Sequence, residues 1–207
     1  MKLALSYSEV LNGKFALGST NLMMVFQVNC PGCFMHGFPL VRELQTHYGS
    51  QLSCFALATA FEDFHLNTEE NVKLLVDTGA LTGETLKAQE AGLLKWNRAK
   101  LSVPVLIDEI SSQSELRQAR FVENITQNMF DQTSATALEQ EHMRVTLNNY
   151  FGGLPKCGKT FAANLMRGTP SFFLFTDSME ILVQWFGHAD SQVIIKELDT
   201  FIGKKHG

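Results

Sequence analysis

Two cysteines separated by two residues stand between an apolar run and a helical pattern. Residues 22–28 are apolar without clear alternation, which predicts a strand buried on both faces. From residue 34 to Tyr48, apolar side chains recur at helical spacing. The first turn of a helix has unpaired backbone N–H groups and the positive end of the dipole, so a thiolate there is stabilised. The pattern predicts that Cys30 is an attacking thiol and that Cys33, one turn later, resolves the mixed disulfide.

Other interpretations of the two cysteines have to be weighed. His36 extends the pattern to Cys-x-x-Cys-x-x-His, but a closed zinc site needs a fourth ligand, and Cys54 and Cys157 each stand alone. Haem attachment would require His where Phe34 follows the second cysteine. A pair of neutral buried cysteines is a further alternative, as expected for Cys54 inside its own apolar run. We expect no metal at this motif.

The composition is that of a folded domain with a sizeable core. Of the 207 residues, 45% are hydrophobic and 18% are charged, and the net charge is −4. This balance predicts neither a nucleic-acid partner nor an anionic membrane partner. The apolar start at residues 1–7 is too short for a signal peptide, and no run approaches the ~20 apolar residues of a membrane helix. We therefore expect a cytoplasmic protein whose Cys-x-x-Cys pair is catalytic or reduced.

Strand and helix patterns alternate along most of the chain. The predicted strands are 3–7, 22–28, 52–60, 103–107, 169–176 and 181–186. The predicted helices are 33–48, with a kink at Pro39, then 68–77, 83–95 and 189–202. A turn at 177–180 joins the last two strands as a hairpin. The alternation predicts an α/β fold, with a mixed central sheet and helices on both faces.

Residues 110–165 interrupt this alternation with a polar, helix-rich segment. Two helices are predicted in it, at 114–130 and 134–150. We interpret the chain as one domain over residues 1–207, with this segment as a helical insertion. An insertion rooted between two strand ends near the cysteines would be placed to cover them and restrict which disulfides reach them. Packing on the far face and a dimer contact are alternatives that the sequence leaves open.

The order of these motifs resembles the thioredoxin superfamily, in particular its TlpA-like and redoxin branch. A strand leads into Cys-Pro-Gly-Cys at 30–33, and a proline-bearing helix follows. An extra helix–strand unit ends at 103–108, and Gly-Thr-Pro at 168–170 precedes the hairpin and a terminal helix. The resemblance covers most of the chain except about 110–165. It implies a thioredoxin-like fold and a thiol–disulfide oxidoreductase that uses a redox-active disulfide and no other cofactor.

The resemblance also implies a substrate-binding surface around the cysteines. Pro31 and Gly32 lie between them, and the peptide bond before Pro170 is expected to be cis and to face them. The backbone of Thr169 would then pair with an extended segment that carries the target disulfide. The implied partners are a disulfide-containing protein or small molecule and a thiol reductant that recycles the enzyme. Without a recognisable export signal, reduction is the expected direction.

Two positions depart from the thioredoxin pattern. Met24 stands where many thioredoxins have a buried acid that accepts a proton, and Asn29 stands where an aromatic residue usually precedes the first cysteine. A general base, if the reaction uses one, would be Glu62 or Asp63 in the loop after the strand 52–60, because sites in open α/β sheets gather at that edge. Simple solvated loop acids are the alternative for both residues.

Three other functions compete with thiol–disulfide exchange. Residues 153–160 fit the phosphate-binding pattern G-x-x-x-x-G-K-[ST], but no buried strand precedes them, and Asp108 comes before the loop, the reverse of the usual order for a magnesium partner. A peroxiredoxin-like peroxidase would share the fold, although Met23 and Gln27 replace the proline and threonine of its motif. A non-catalytic binding module of the same fold is the third alternative.

Overall fold

The secondary structure comes from a computed structural model that describes residues 1–96, 101–130 and 135–202. The strands are β1 Tyr7–Leu11, β2 Thr20–Phe26, β3 Ser53–Ala58, β4 Val105–Asp108, β5 Ile110–Ser112, β6 Lys156–Gly158, β7 Ser171–Thr176 and β8 Ile181–Phe186. The α-helices are α1 Phe38–Tyr48, α2 Glu69–Thr78, α3 Gly83–Glu90, α4 Gln113–Leu116, α5 Ala119–Phe130, α6 Ala137–Gly152, α7 Lys159–Ala163 and α8 Ser191–Ile202. A π-helical turn, Cys33–Gly37, precedes α1, and a 3-10 turn, Gly49–Gln51, follows it. Within those three ranges, no helix combines the length and the apolar content needed to span a bilayer.

Six of the strands form one mixed sheet in the order β1-β4-β3-β2-β7-β8. β2, β3 and β4 are parallel neighbours, whereas β7 runs antiparallel to β2. The edge strands β1 and β8 are antiparallel to β4 and β7, and β7 with β8 is the predicted terminal hairpin. β5 and β6 pair with each other outside this sheet. The sheet order places the end of β2 between the end of β3 and the beginning of β7.

The central strand β2 is buried on both faces, which explains why its sequence does not alternate. Leu22, Met24 and Phe26 join one apolar cluster together with residues of α1, α2 and α8. Met23 and Val25 point the other way and join a second cluster. Because successive side chains of a strand face opposite sides, each face of β2 requires its own covering layer. The prediction of a mixed sheet with helices on both faces is confirmed.

The second layer comes from the described part of the 110–165 segment. Val122 and Ile125 of α5, with Leu147 and Phe151 of α6, are at most 4% exposed and belong to the second cluster. These helices therefore pack on the sheet face opposite α1. This is the far-face alternative for the insertion, and it makes the segment a structural layer of the domain.

The first predicted strand, 3–7, is wrong. β1 begins only at Tyr7, and the residues before it run along the insertion. The backbone N–H and C=O of Ala4 bond to the side-chain amide of Asn164 at 3.0 and 2.7 Å, and Leu3 N–H donates to Met179 O at 2.7 Å. The backbone hydrogen bonds of this apolar, extended segment are therefore made to the Asn164 side chain and to the turn at Met179, and not to a neighbouring strand of the sheet.

Two helix boundaries also differ from the prediction. The helix expected over 114–130 is divided into α4 and α5, and Ser112 caps the first with a capping box to Glu115. α3 ends at Glu90, short of the expected residue 95. The predicted beginning of the next insertion helix, residue 134, lies outside the described residues.

The kink predicted at Pro39 takes the form of a wide turn that precedes the proline. Phe38 N–H donates to Cys33 O, five residues back, which is the π-helical pattern. Pro39 is the second residue of α1 and has no backbone N–H to donate to the turn before it. The helix that follows the cysteines is therefore widened in its first turn and regular afterwards.

Residues 153–160, which fit the phosphate-binding pattern in sequence, include β6 and the beginning of α7 and form a structural joint between the insertion and the sheet. It follows helix α6, and the backbone N–H groups that would hold a phosphate are bonded within the protein. Gly158 N–H donates to Ala60 O at 2.7 Å, Lys159 N–H to Glu109 O at 2.7 Å, and Thr160 N–H to Asp108 Oδ1 at 2.9 Å.

Asp108 is the buried centre of this joint. It is 2% exposed, and besides Thr160 it accepts hydrogen bonds from Thr59 Oγ1 at 2.7 Å and from Phe161 N–H at 3.2 Å. Burial raises the pKa of the Asp108 carboxyl to about 6, although these hydrogen bonds oppose the shift. The joint connects the end of β4 to the first turn of α7, and so ties the insertion to the sheet.

We predict that the Asp108 carboxyl makes the free energy of unfolding depend on pH. Its folded pKa is raised, so its contribution to the free energy of unfolding is full below about pH 4 and is lost as the pH rises through about 6. The loss is on the order of 3 kcal/mol. The difference in unfolding free energy between wild type and Asp108→Asn, measured by urea denaturation, should fall across this window. A difference that stays flat or rises would contradict the prediction.

Candidate redox site

The two cysteines of the motif lie where the chain leaves β2 and enters its helix. Cys30 and Cys33 form a disulfide, with their Cα atoms 5.4 Å apart. Pro31 and Gly32 are already helical. Cys33 N–H donates to Cys30 O at 2.9 Å and also points at Cys30 Sγ, 3.3 Å away. Cys33 is fully buried whereas Cys30 is half-buried, so Cys30 is the more accessible of the two cysteines.

The Gly-Thr-Pro turn lies directly against this pair. The Thr169–Pro170 peptide bond is cis, as predicted. Cys30 Sγ lies 3.5 Å from the carbonyl oxygen of Thr169. A Cβ atom placed on Gly32 would lie 3.9 Å from Pro170 Cδ, which is ordinary van der Waals contact. The structure thus brings the four predicted substrate-binding residues, Pro31, Gly32, Thr169 and Pro170, to one place beside the disulfide.

Asn29 fixes the backbone immediately before the first cysteine. Its Nδ2 donates to Asp63 Oδ2 at 2.8 Å, and its Oδ1 accepts from Glu84 N–H at 2.6 Å. Its own N–H donates to Asn67 Oδ1 at 2.9 Å. A side chain at Gly83, which has φ of +55°, would collide with the Asn29 amide. The residue that replaces the usual aromatic side chain therefore links the cysteine turn to the loop after β3 and to the first turn of α3.

Gln27 is a buried polar residue that the sequence analysis considered only as a departure from the peroxiredoxin motif. It is 2% exposed and lies between the two loops that flank the cysteines. Its Nε2 donates to Glu62 O at 3.4 Å, and its Oε1 accepts from Thr169 Oγ1 at 3.5 Å. The sequence signal that could have identified Gln27 is that it is a polar residue inside an otherwise apolar run. Thr85, whose hydroxyl donates to Val28 O at 2.7 Å, has no comparable signal in the sequence.

The two candidate general bases are both exposed, and the structure distinguishes their surroundings. Asp63 has φ of +45° and its carboxylate is bound by Asn29, whereas Glu62 contributes its backbone carbonyl to the network. Met24, at the position of the thioredoxin acid, is fully buried and packs against Gly37. Acid–base roles for Glu62 and Asp63 stay predictions.

The remaining cysteines are kept away from redox chemistry by burial. Cys54 in β3 is 7% exposed and Cys157 in β6 is fully buried, and both are free thiols. Burial raises the pKa of each to about 12. At neutral pH both are therefore protonated and weakly nucleophilic.

Comparison with solved structures identifies the architecture. The crystal structure of a thioredoxin-like superfamily protein matches with a TM-score of 0.59 and 20% sequence identity over 98% of this chain and 97% of that one. A thiol-disulfide isomerase from Corynebacterium glutamicum matches with a TM-score of 0.54 and 20% identity over 99% of this chain and 94% of that one.

The fold is thioredoxin-like. No family model and no curated protein matches the chain. The two solved structures confirm the thioredoxin-like fold that the sequence motifs predicted.

We predict that Asn29→Asp destabilises the protein at neutral pH. The substitution places a second carboxylate against Asp63, and two adjacent like charges repel. The midpoint of thermal unfolding should fall by about 3 °C or more at pH 7, and the loss should shrink as one carboxyl is protonated at lower pH.

The matched control is the exchanged pair, Asn29→Asp with Asp63→Asn. It restores one amide and one carboxylate and leaves an acceptor for Glu84 N–H, so most of the lost stability should return. An exchanged pair as unstable as Asn29→Asp alone would show that the contact between these two side chains is unimportant.

Proposed function

We propose that the protein is a thiol–disulfide oxidoreductase that exchanges dithiols and disulfides through Cys30 and Cys33. The observation that carries this proposal is the placement of one sulfur. Cys30 Sγ is accessible at the beginning of a helix, bonded to Cys33, and 3.5 Å from the Thr169 carbonyl oxygen beside a cis proline. The isomerase among the structures of similar fold supports the same chemistry.

The reaction in the reducing direction has two sulfur transfers. The Cys30 thiolate attacks one sulfur of the substrate disulfide, forming a mixed disulfide and releasing the other substrate sulfur as a thiolate. Cys33, as it loses its proton, then attacks Cys30 Sγ, which frees the second substrate sulfur as a thiolate and closes the Cys30–Cys33 disulfide. The substrate gains two electrons; one of its two thiolates takes up the proton from Cys33, and the other takes up a proton from solvent. An external thiol reductant returns two electrons to the pair, and no further cofactor takes part.

The surroundings of Cys30 suit an extended substrate. The Thr169 carbonyl borders the sulfur, and Gly32, one residue before Cys33, faces Pro170. We propose that the substrate backbone lies along Thr169, which borders the Cys30 sulfur.

We predict that Cys30→Ser abolishes dithiothreitol-driven insulin reduction, because the attacking sulfur is lost. Cys33→Ser should accumulate mixed disulfides with substrate proteins, detectable on non-reducing gels. Cys54→Ala, a buried thiol outside the site, should retain wild-type turnover. Full turnover of hydrogen peroxide by Cys33→Ser, with no insulin reduction by the wild type, would instead favour a peroxidase.

We also predict that iodoacetamide modifies Cys30 before the other cysteines of the reduced protein. At pH 6 the half-buried sulfur at the helix start should react about tenfold faster than Cys33. Cys54 and Cys157 should stay unmodified in the folded state, since burial raises the pKa of both thiols to about 12. Peptide mass mapping over time gives the order, and faster labelling of Cys33 would reverse the assigned roles.

A further inference from the structure

Two histidines from distant parts of the chain meet beside the cis-proline turn. The ring centres of His36 and His188 lie 4.4 Å apart, with their planes inclined at 53°, and both side chains are exposed. In the sequence, His36 extends the cysteine motif towards a zinc pattern that has no fourth ligand. Across the described ranges, no three His, Cys, Asp or Glu side chains are grouped for a metal ion, so a site here would have two protein ligands.

We propose that His36 and His188 together bind one divalent transition-metal ion, of the Ni²⁺ and Cu²⁺ type. Imidazole nitrogen is a common ligand for these ions. With metal–nitrogen bonds of about 2.1 Å, the ion lies about 3.2 Å from each ring centre, so adjacent imidazoles at about 90° have centres about 4.5 Å apart, and tetrahedral ones about 5.2 Å. The observed 4.4 Å is close to the shorter of these separations, and the general order of affinities for nitrogen ligands favours Cu²⁺ and Ni²⁺ among the divalent ions.

Both histidines project from backbone that is held in place without a metal. His36 lies on the π-helical turn Cys33–Gly37, whose last residue packs against Met24 and Pro170. His188 follows Gly187, whose N–H donates to Pro170 O at 2.8 Å.

On the other side of His188, Asp190 accepts from Gln192 N–H at 2.8 Å and caps α8. Ligands on ordered backbone lose less conformational freedom on binding, which favours chelation by only two side chains. Water would complete the coordination of the ion.

A bound ion would connect two segments that both contact Pro170. The π-helical turn begins at Cys33, and the N–H of Gly187, between β8 and α8, bonds to the carbonyl of Pro170. The ion would therefore connect the cis-proline turn to the helix that follows the cysteines. The binding itself does not depend on the proposed redox function, so the two can be tested separately.

The test is Ni²⁺ binding to the tag-free, disulfide form of the full chain, measured by isothermal titration calorimetry. We expect one ion per chain. His36→Ala and His188→Ala should each weaken binding by at least about tenfold, because each removes half of the chelate. His142→Ala, an exposed histidine on α6, is the matched control and should bind as the wild type does. Circular dichroism checks that every variant is folded.

Two results would overturn the site. One is undiminished Ni²⁺ affinity in the double variant His36→Ala with His188→Ala; the other is loss of affinity in one single variant alone. A measurement on the wild type avoids any dependence on variant folding. Electron paramagnetic resonance of one equivalent of Cu²⁺ should show two nitrogen ligands, and a spectrum with one or none would reject the pair as a chelate.

Discussion

The burial of β2 on both faces is the constraint on which the rest of the structure depends. All seven residues of this strand are buried, and its side chains enter two separate apolar clusters. Burying one such side chain contributes about 1.5–3 kcal/mol, so a face left open would cost several times that amount across the sheet. The 110–165 segment supplies the second cover. The segment therefore helps to hold β2, the strand that leads to Cys30, in place. It does so from the sheet face opposite the helix that follows the cysteines.

The same constraint determines which segments meet at the redox site. β2 ends between β3 and β7, so the residues after it face the loop that follows β3 and the turn that precedes β7. Asn29 bonds to the first of these segments and Cys30 lies against the second, while Gln27 reaches both. Sheet order thus assembles the site from three segments that are far apart in sequence. Any change that shifted β3 or β7 relative to β2 would separate the sulfur from Thr169.

Features of the fold and of the site that depend on neighbouring residues could be predicted from the sequence. The helix start at the cysteines, the terminal hairpin and the cis bond before Pro170 each follow from residues close together in the chain or from a motif of known form. The roles of Asn67, Thr85 and His188 depend on which distant segment each one meets, and a single sequence does not contain that information. The false strand at 3–7 has a similar cause, because an apolar pattern does not distinguish pairing with a strand from binding by Asn164.

Surroundings, more than residue type, distinguish the disulfide-bonded pair Cys30 and Cys33 from the two buried free thiols, Cys54 and Cys157. Cys54 and Cys157 lie among apolar side chains, where an anion is poorly solvated and the thiol stays protonated. Cys33 is equally buried, yet its backbone N–H points at Cys30 Sγ and its own sulfur is already within bonding reach. That donor favours negative charge on Cys30, which is also the accessible sulfur. Accessibility and the direction of one N–H group are therefore the two features that support the proposed attack by Cys30 and the proposed resolving role of Cys33.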